Sequence, residues 1–203
     1  LSGVVATVAS LVAGALSDKI GNRRKFISYG YAIWGVTVAL FGCLSADNIA
    51  AVFGMPVEEA IKFALVLVVV VDCVMTLFGS TANDAAFNAW LTDSTNSSNR
   101  GAVEGINAMM PLVAILVVFG GFMFFDLEKS SSWISIFSII GTVVIAIGIL
   151  GIFLIKDSNV KPVKESYLNC IFYGFLPKTA KKNPLLYISL SGFVIFNISI
   201  QIF

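Results

Sequence analysis

Long apolar runs separated by short polar turns make up most of this chain. Residues 1–16, 26–46, 63–91, 101–125, 133–155 and 185–203 are apolar with few charges. A hydrocarbon core about 30 Å thick needs roughly 20 apolar residues per helix, so the complete runs can cross a bilayer. Helices satisfy their own backbone polar groups in lipid. Runs such as Leu65 to Val71 do not alternate, which argues against a barrel. The pattern predicts an all-α fold, a polytopic membrane helix bundle. The first and last runs are incomplete, and the bases follow the first run, whereas a signal peptide carries them ahead of it. The expectation is a fragment truncated at both ends. Residues 1–155 would be an incomplete bundle, 156–184 a long loop, and 185–203 the start of a further helix.

The polar turns orient the bundle. Eleven of the thirteen Lys and Arg residues fall in alternate turns, 17–25, 92–100 and 156–184. Basic turns stay in the cytoplasm, so these three turns are expected inside and residues 47–62 outside. Trp90 and Trp133 sit near run ends, where amphipathic rings favour the interface. The 156–184 turn holds Pro162, Pro177, Pro184 and an apolar stripe, Tyr167, Leu168, Ile171, Phe172 and Phe175. Helical spacing beside lysines suggests a helix lying in the inner interface. A disordered basic linker is the alternative.

Composition agrees with the pattern. The chain is 58% hydrophobic and 12% charged, with mean hydropathy +0.92, against about 25% charged residues in soluble domains. A net charge of +1 offers no basis for nucleic-acid binding. Without histidine there is no imidazole metal site, His-based triad or histidine pH switch. The three cysteines, at unrelated spacings, imply no disulfide framework. No phosphate loop, metal-ligand cluster or nucleophile–base pair occurs, so the reading is not an enzyme, with no cofactor and no metal.

Polar residues inside the apolar runs are the candidates for function. Asp72, Thr76, Ser80, Asp84 and Asn88 recur every four residues. On an α-helix such a stripe drifts only about 40° per step. A carboxylate at the bilayer centre costs at least ~2.5 kcal/mol, so two on one stripe point to an aqueous cavity or an ion path. The alternatives are a hydrated or paired Asp72 near the outer end and a structural role for Asp84 near the inner end. Asn83 and Trp90 flank the stripe, and an amide beside an aromatic suits a sugar, by hydrogen bonds to hydroxyls and stacking on the ring. Asn107 lies on the next run with Glu104 and Pro111. Glu104 in a first turn is favoured by the helix dipole alone. Gly141, Gly148 and Gly151 are expected to permit close helix packing.

Gly14 to Lys25, G-A-L-S-D-K-I-G-N-R-R-K, joins the first two runs. It resembles motif A of the major facilitator superfamily, G-x-L-a-D-r-x-G-r-k. Gly14, Leu16, Asp18, Lys19, Gly21 and Arg23 fall on motif positions. Asn22 departs where a base is usual, and Arg24 and Lys25 follow. The motif implies that the chain runs from the family's second helix into its seventh, with 156–184 as the central loop between two halves. It also implies a gating role for Asp18. An acid at a helix C-terminus opposes the dipole and needs a compensating partner. The family places that partner in the other half, with a nearby Arg after helix four, here Arg100. A solvated turn that only sets topology is the alternative.

Asn83 to Asp93, N-D-A-A-F-N-A-W-L-T-D, with Asn99 to Gly101, is similar to helix four and the following loop of the glycoside–pentoside–hexuronide cation symporters. The resemblance implies a sugar or glycoside substrate coupled to sodium or a proton. The helix-two carboxylates of sodium-coupled relatives align near Ala6 and Ser10, which carry no charge. Together these readings describe a multi-pass protein of the cell (inner) membrane, a secondary active transporter whose remaining half lies outside this sequence. A proton-coupled exporter and a non-transporting sensor or scaffold are the alternatives.

Overall fold

A computed structural model describes residues 1–156 and 171–202, with the backbone alone for 197 and 200–202. Every regular element among the described residues is helical, as the apolar runs predict. The chain divides into two compact units, Leu1–Val163 and Lys164–Phe203.

The first unit holds α1 (Ser2–Ile20), α2 (Arg23–Phe41), α3 (Ala46–Phe53), α4 (Val57–Gly79), a π-helical segment (Ser80–Phe87), α5 (Asn88–Ser94), α6 (Arg100–Phe122) and α7 (Ser130–Leu154). The second holds a 3₁₀ turn (Tyr173–Phe175), α8 (Pro177–Lys182) and α9 (Pro184–Ile202). Among the described residues, four helices are long and apolar enough to cross a membrane: α1, the continuous rod Val57–Ser94, α6 and α7. With α2 they make an integral multi-pass membrane bundle.

Local chemistry sets the ends. Gly21 closes α1 in the left-handed conformation, φ 68°, its N–H donating to Ser17 O at 2.9 Å. Asn22 caps α2, its side chain accepting from Lys25 N at 3.3 Å. The apolar run 26–46 does not continue as one helix. It breaks after Phe41, and α3 departs at 88° from α2. Ser45 caps α3 by accepting from Asn48 N at 3.2 Å, and Gly54 ends it at φ 65°. The connection between α2 and α4 therefore contains a helix.

α2 and α7 form the tightest pair, because glycines remove the side chains between them. A Cβ on Gly35 would meet Gly141 O at 2.6 Å, and one on Gly148 would meet Ala32 N at 2.7 Å and Ser28 O at 2.9 Å. Without a hydrophobic drive in lipid, such backbone proximity supplies the packing. Gly148→Leu is expected to lower stability by about 1–3 kcal/mol, the usual cost of overpacking. Gly120→Leu on α6, with nothing within 4 Å of its Cβ, is the control. Equal melting of the two variants in detergent would contradict this packing.

The interfacial stripe expected across 156–184 lies partly outside the described residues, with Tyr167 and Leu168 among those outside. Within them, Phe175 sits in the 3₁₀ turn. The basic turns lead to a labelling prediction. Ser97→Cys should be protected from an impermeant thiol reagent in intact cells, and Glu128→Cys should react. The reverse pattern would invert the topology.

Candidate functional site

The rod Val57–Ser94 carries the polar stripe, and it is not a uniform α-helix. Ser80–Phe87 is π-helical, with i→i+5 bonding and a wider turn. The 40° drift per step does not hold across it, so residues after Ser80 are rotated relative to a straight α continuation. Small residues let this wider segment fit. Ser80, Ala82, Ala85 and Ala86 are buried. A Cβ on Gly30 of α2 would meet Ala82 Cβ at 2.7 Å, and one on Gly79 would meet the Trp34 ring at 2.9 Å.

The contact between α2 and the π segment builds a polar relay. Tyr31 Oη donates to Asn83 Oδ1 at 2.7 Å. Asn83 Nδ2 in turn donates to Asp84 Oδ1 at 3.1 Å. The amide is thus held from both sides, and the other carboxylate oxygen of Asp84 has no hydrogen-bond partner among the described residues. A cavity of about 220 Å³ opens here, lined by Trp34, Met75, Thr76, Gly79, Ser80, Asn83 and Asp84. Its lining residues carry one indole, one amide, one carboxylate and two hydroxyls. That set can accept and donate hydrogen bonds to a polyhydroxylated ring, and its carboxylate can hold a proton or a cation.

The candidates divide on this geometry. Asn83 and Asp84 lie in the cavity. Asn88 is exposed just below it and donates through Nδ2 to Asp84 O at 3.2 Å. Asp72 is half-buried on α4 beyond the cavity lining and makes no hydrogen bond or ion pair among the described residues. Asn107 stands on α6, none of whose residues is buried. Trp90 lies apart: its indole N–H donates to Lys156 O at 3.1 Å and its ring packs on Phe87, tying α5 to the end of α7. The aromatic in the cavity is Trp34, which sequence reasoning passed over. Its signal was faint: it follows Tyr31 by three residues, on the same face of a spanning helix.

The Gly14–Lys25 turn forms a second cluster. Arg23 is 6% exposed and bridges two acids. Its Nη2 lies 2.8 Å from Asp18 Oδ1, and its Nε lies 2.7 Å from Asp93 Oδ2. Each charge alone is at the unfavourable end of its helix, acids at the C-terminal ends of α1 and α5 and the base at the start of α2. The pairing offsets all three and ties three helix ends together. Arg100, expected beside Asp18, instead donates through Nη2 to Thr92 O at 3.0 Å and through Nε to Thr95 Oγ1 at 3.3 Å. It satisfies carbonyls at the end of α5. Arg24 is half-buried at the start of α2. Gly21 supplies the left-handed turn, and a side chain at Gly14 would meet nothing within 4 Å.

The family model described as Major Facilitator Superfamily matches residues 1–203. No curated protein and no solved structure matches the chain.

Proposed function

Since a chain matched along its whole length belongs to the major facilitator superfamily, a family of membrane transporters, we propose that it carries a sugar or glycoside with a cation, sodium or a proton, by alternating access. The supporting observation is the α2–π cavity, which Trp34 lines together with the held pair Asn83 and Asp84. Stacking on a pyranose face and amide or carboxylate bonds to its hydroxyls use this set of groups. The cavity lies below the ~300–1,000 Å³ of a complete ligand pocket, consistent with one wall of a site. In this mechanism the second half of the transporter supplies the facing wall, near the midplane. The cytoplasmic Arg23 cluster serves as the gate, and the protein works in the cell membrane.

Uptake of labelled sugars by the full-length protein, with and without sodium and across an imposed proton gradient, tests the reading. Accumulation that depends on one of the two cations is expected. Trp34→Ala should raise the apparent KM about two- to tenfold, a loss matching the ~0.5–1.5 kcal/mol of an aromatic contact beyond its area. Transport of non-sugar substrates alone, with Trp34→Ala unchanged, would overturn it.

A further inference from the structure

Four of the five positions from Phe172 to Leu176, around the 3₁₀ turn of the second unit, expose large apolar side chains. Phe172 is 56% exposed, Tyr173 52%, Phe175 69% and Leu176 47%. Directly after them, α8 places Lys178, Lys181 and Lys182 within an arc of about 100°. All three lysines are exposed, and none forms an ion pair among the described residues. The sequence from Ile171 to Phe203 contains no Asp or Glu, so this stretch cannot neutralise them from within.

The arrangement is held in place. Tyr187 Oη on α9 donates to Gly174 O at 2.6 Å, which pins the aromatic turn to the helix that follows. Asn183 N donates to Thr179 O at 3.1 Å and closes α8. Aromatics and lysines therefore form one platform on α9, whose next turns expose Leu185, Leu186 and Ile188.

We propose that this platform docks on anionic lipid, with the Phe172–Leu176 side chains entering the headgroup–acyl boundary and Lys178, Lys181 and Lys182 holding acidic headgroups. A soluble anion would satisfy the lysines and leave the aromatics in water. A neutral lipid would satisfy the aromatics and leave the charges without a counterpart. An anionic lipid does both. The inference rests on the membrane location of the chain and is independent of the substrate.

The test is lipid selectivity of the full-length protein in vesicles, read from the motionally restricted fraction of nitroxide-labelled phosphatidylglycerol against phosphatidylcholine. The wild type should prefer the anionic lipid by at least about fivefold, the contribution of one lysine near an anionic surface. The preference should shrink at 1 M salt, where charges are screened within about 3 Å. Lys178→Gln/Lys181→Gln/Lys182→Gln should abolish it at unchanged helix content, and the triple Arg variant should retain it. A wild type without preference would assign the lysine face to a soluble acidic partner and overturn the proposal. A preference that survives the triple Gln variant would place the lipid on the Lys19–Lys25 turn and overturn it equally.

Discussion

Asp84→Asn is expected to abolish cation-coupled accumulation by the full-length transporter without lowering its expression. The substitution keeps the size of the side chain and can keep the bond from Asn83 Nδ2, made to Oδ1 at 3.1 Å. It removes the charge and the second carboxylate oxygen. Any proton or cation held there would lose its ligand, so the effect should fall on coupling and leave folding intact. Counterflow at equal substrate on both sides separates these possibilities, because exchange needs binding and movement but no net driving ion. Retained exchange with lost accumulation would assign coupling to Asp84. Normal accumulation would make Asp84 structural and move coupling elsewhere. Asp72→Asn should be milder, since Asp72 lies outside the cavity lining.

Arg23→Gln is the other large effect. The arginine is buried between Asp18 and Asp93, and removing one partner of a buried pair costs about 3 kcal/mol or more. Asp18 is nearly half exposed, so water recovers part of that loss on its side. The remaining charge, Asp93, is 27% exposed and is left at the C-terminal end of α5 with the dipole against it. We expect transport to fall at least tenfold and amide exchange to quicken across residues 14–25 and 88–95. Asp18→Asn should weaken transport with insertion intact, since a few kcal/mol redistributes two transporter states almost completely. Arg100→Gln should do less, since Arg100 bonds only to carbonyls and a threonine hydroxyl at the end of α5. If Arg100→Gln proves as damaging as Arg23→Gln, the bridge is not the element that matters.

Much of the fold was legible because lipid imposes a simple rule. Apolar length set most of the spans, turn charge set the expected orientation, and Gly141, Gly148 and Gly151 marked α7 as a helix built for close packing. Less of the site was legible. Asp84 and Asn83, which line the cavity, stood out because carboxylates and amides are conspicuous in an apolar run. Trp34 was not found, since a tryptophan in a membrane helix looks like any lipid-facing side chain until its neighbour is known. Trp90 was drawn toward the site by sequence proximity to Asn83, whereas its indole N–H is committed to Lys156 O.

The charged turn shows the same division. Turn charge led to the expectation that Asp18, Arg23 and Arg100 share one surface, and a resemblance suggested Arg100 as a neighbour of the acid. Only the packing of α1, α2 and α5 brings Asp93 to Arg23, across 70 residues of sequence, and no local spacing encodes that approach. The π segment is a like case. A four-residue repeat reads as an α-helical face, and the small residues Ser80, Ala82, Ala85 and Ala86 fit either helix. Burial of that wider turn against α2 accompanies the Tyr31–Asn83–Asp84 relay. What the sequence determined by itself is what depends on transfer from water to lipid: helix class, the presence of several spans and the polar residues costly enough to need a reason. What the tertiary structure decided is which of those polar groups meet, because a hydrogen bond or ion pair needs approach within about 3 Å, and helix packing alone sets distances that short.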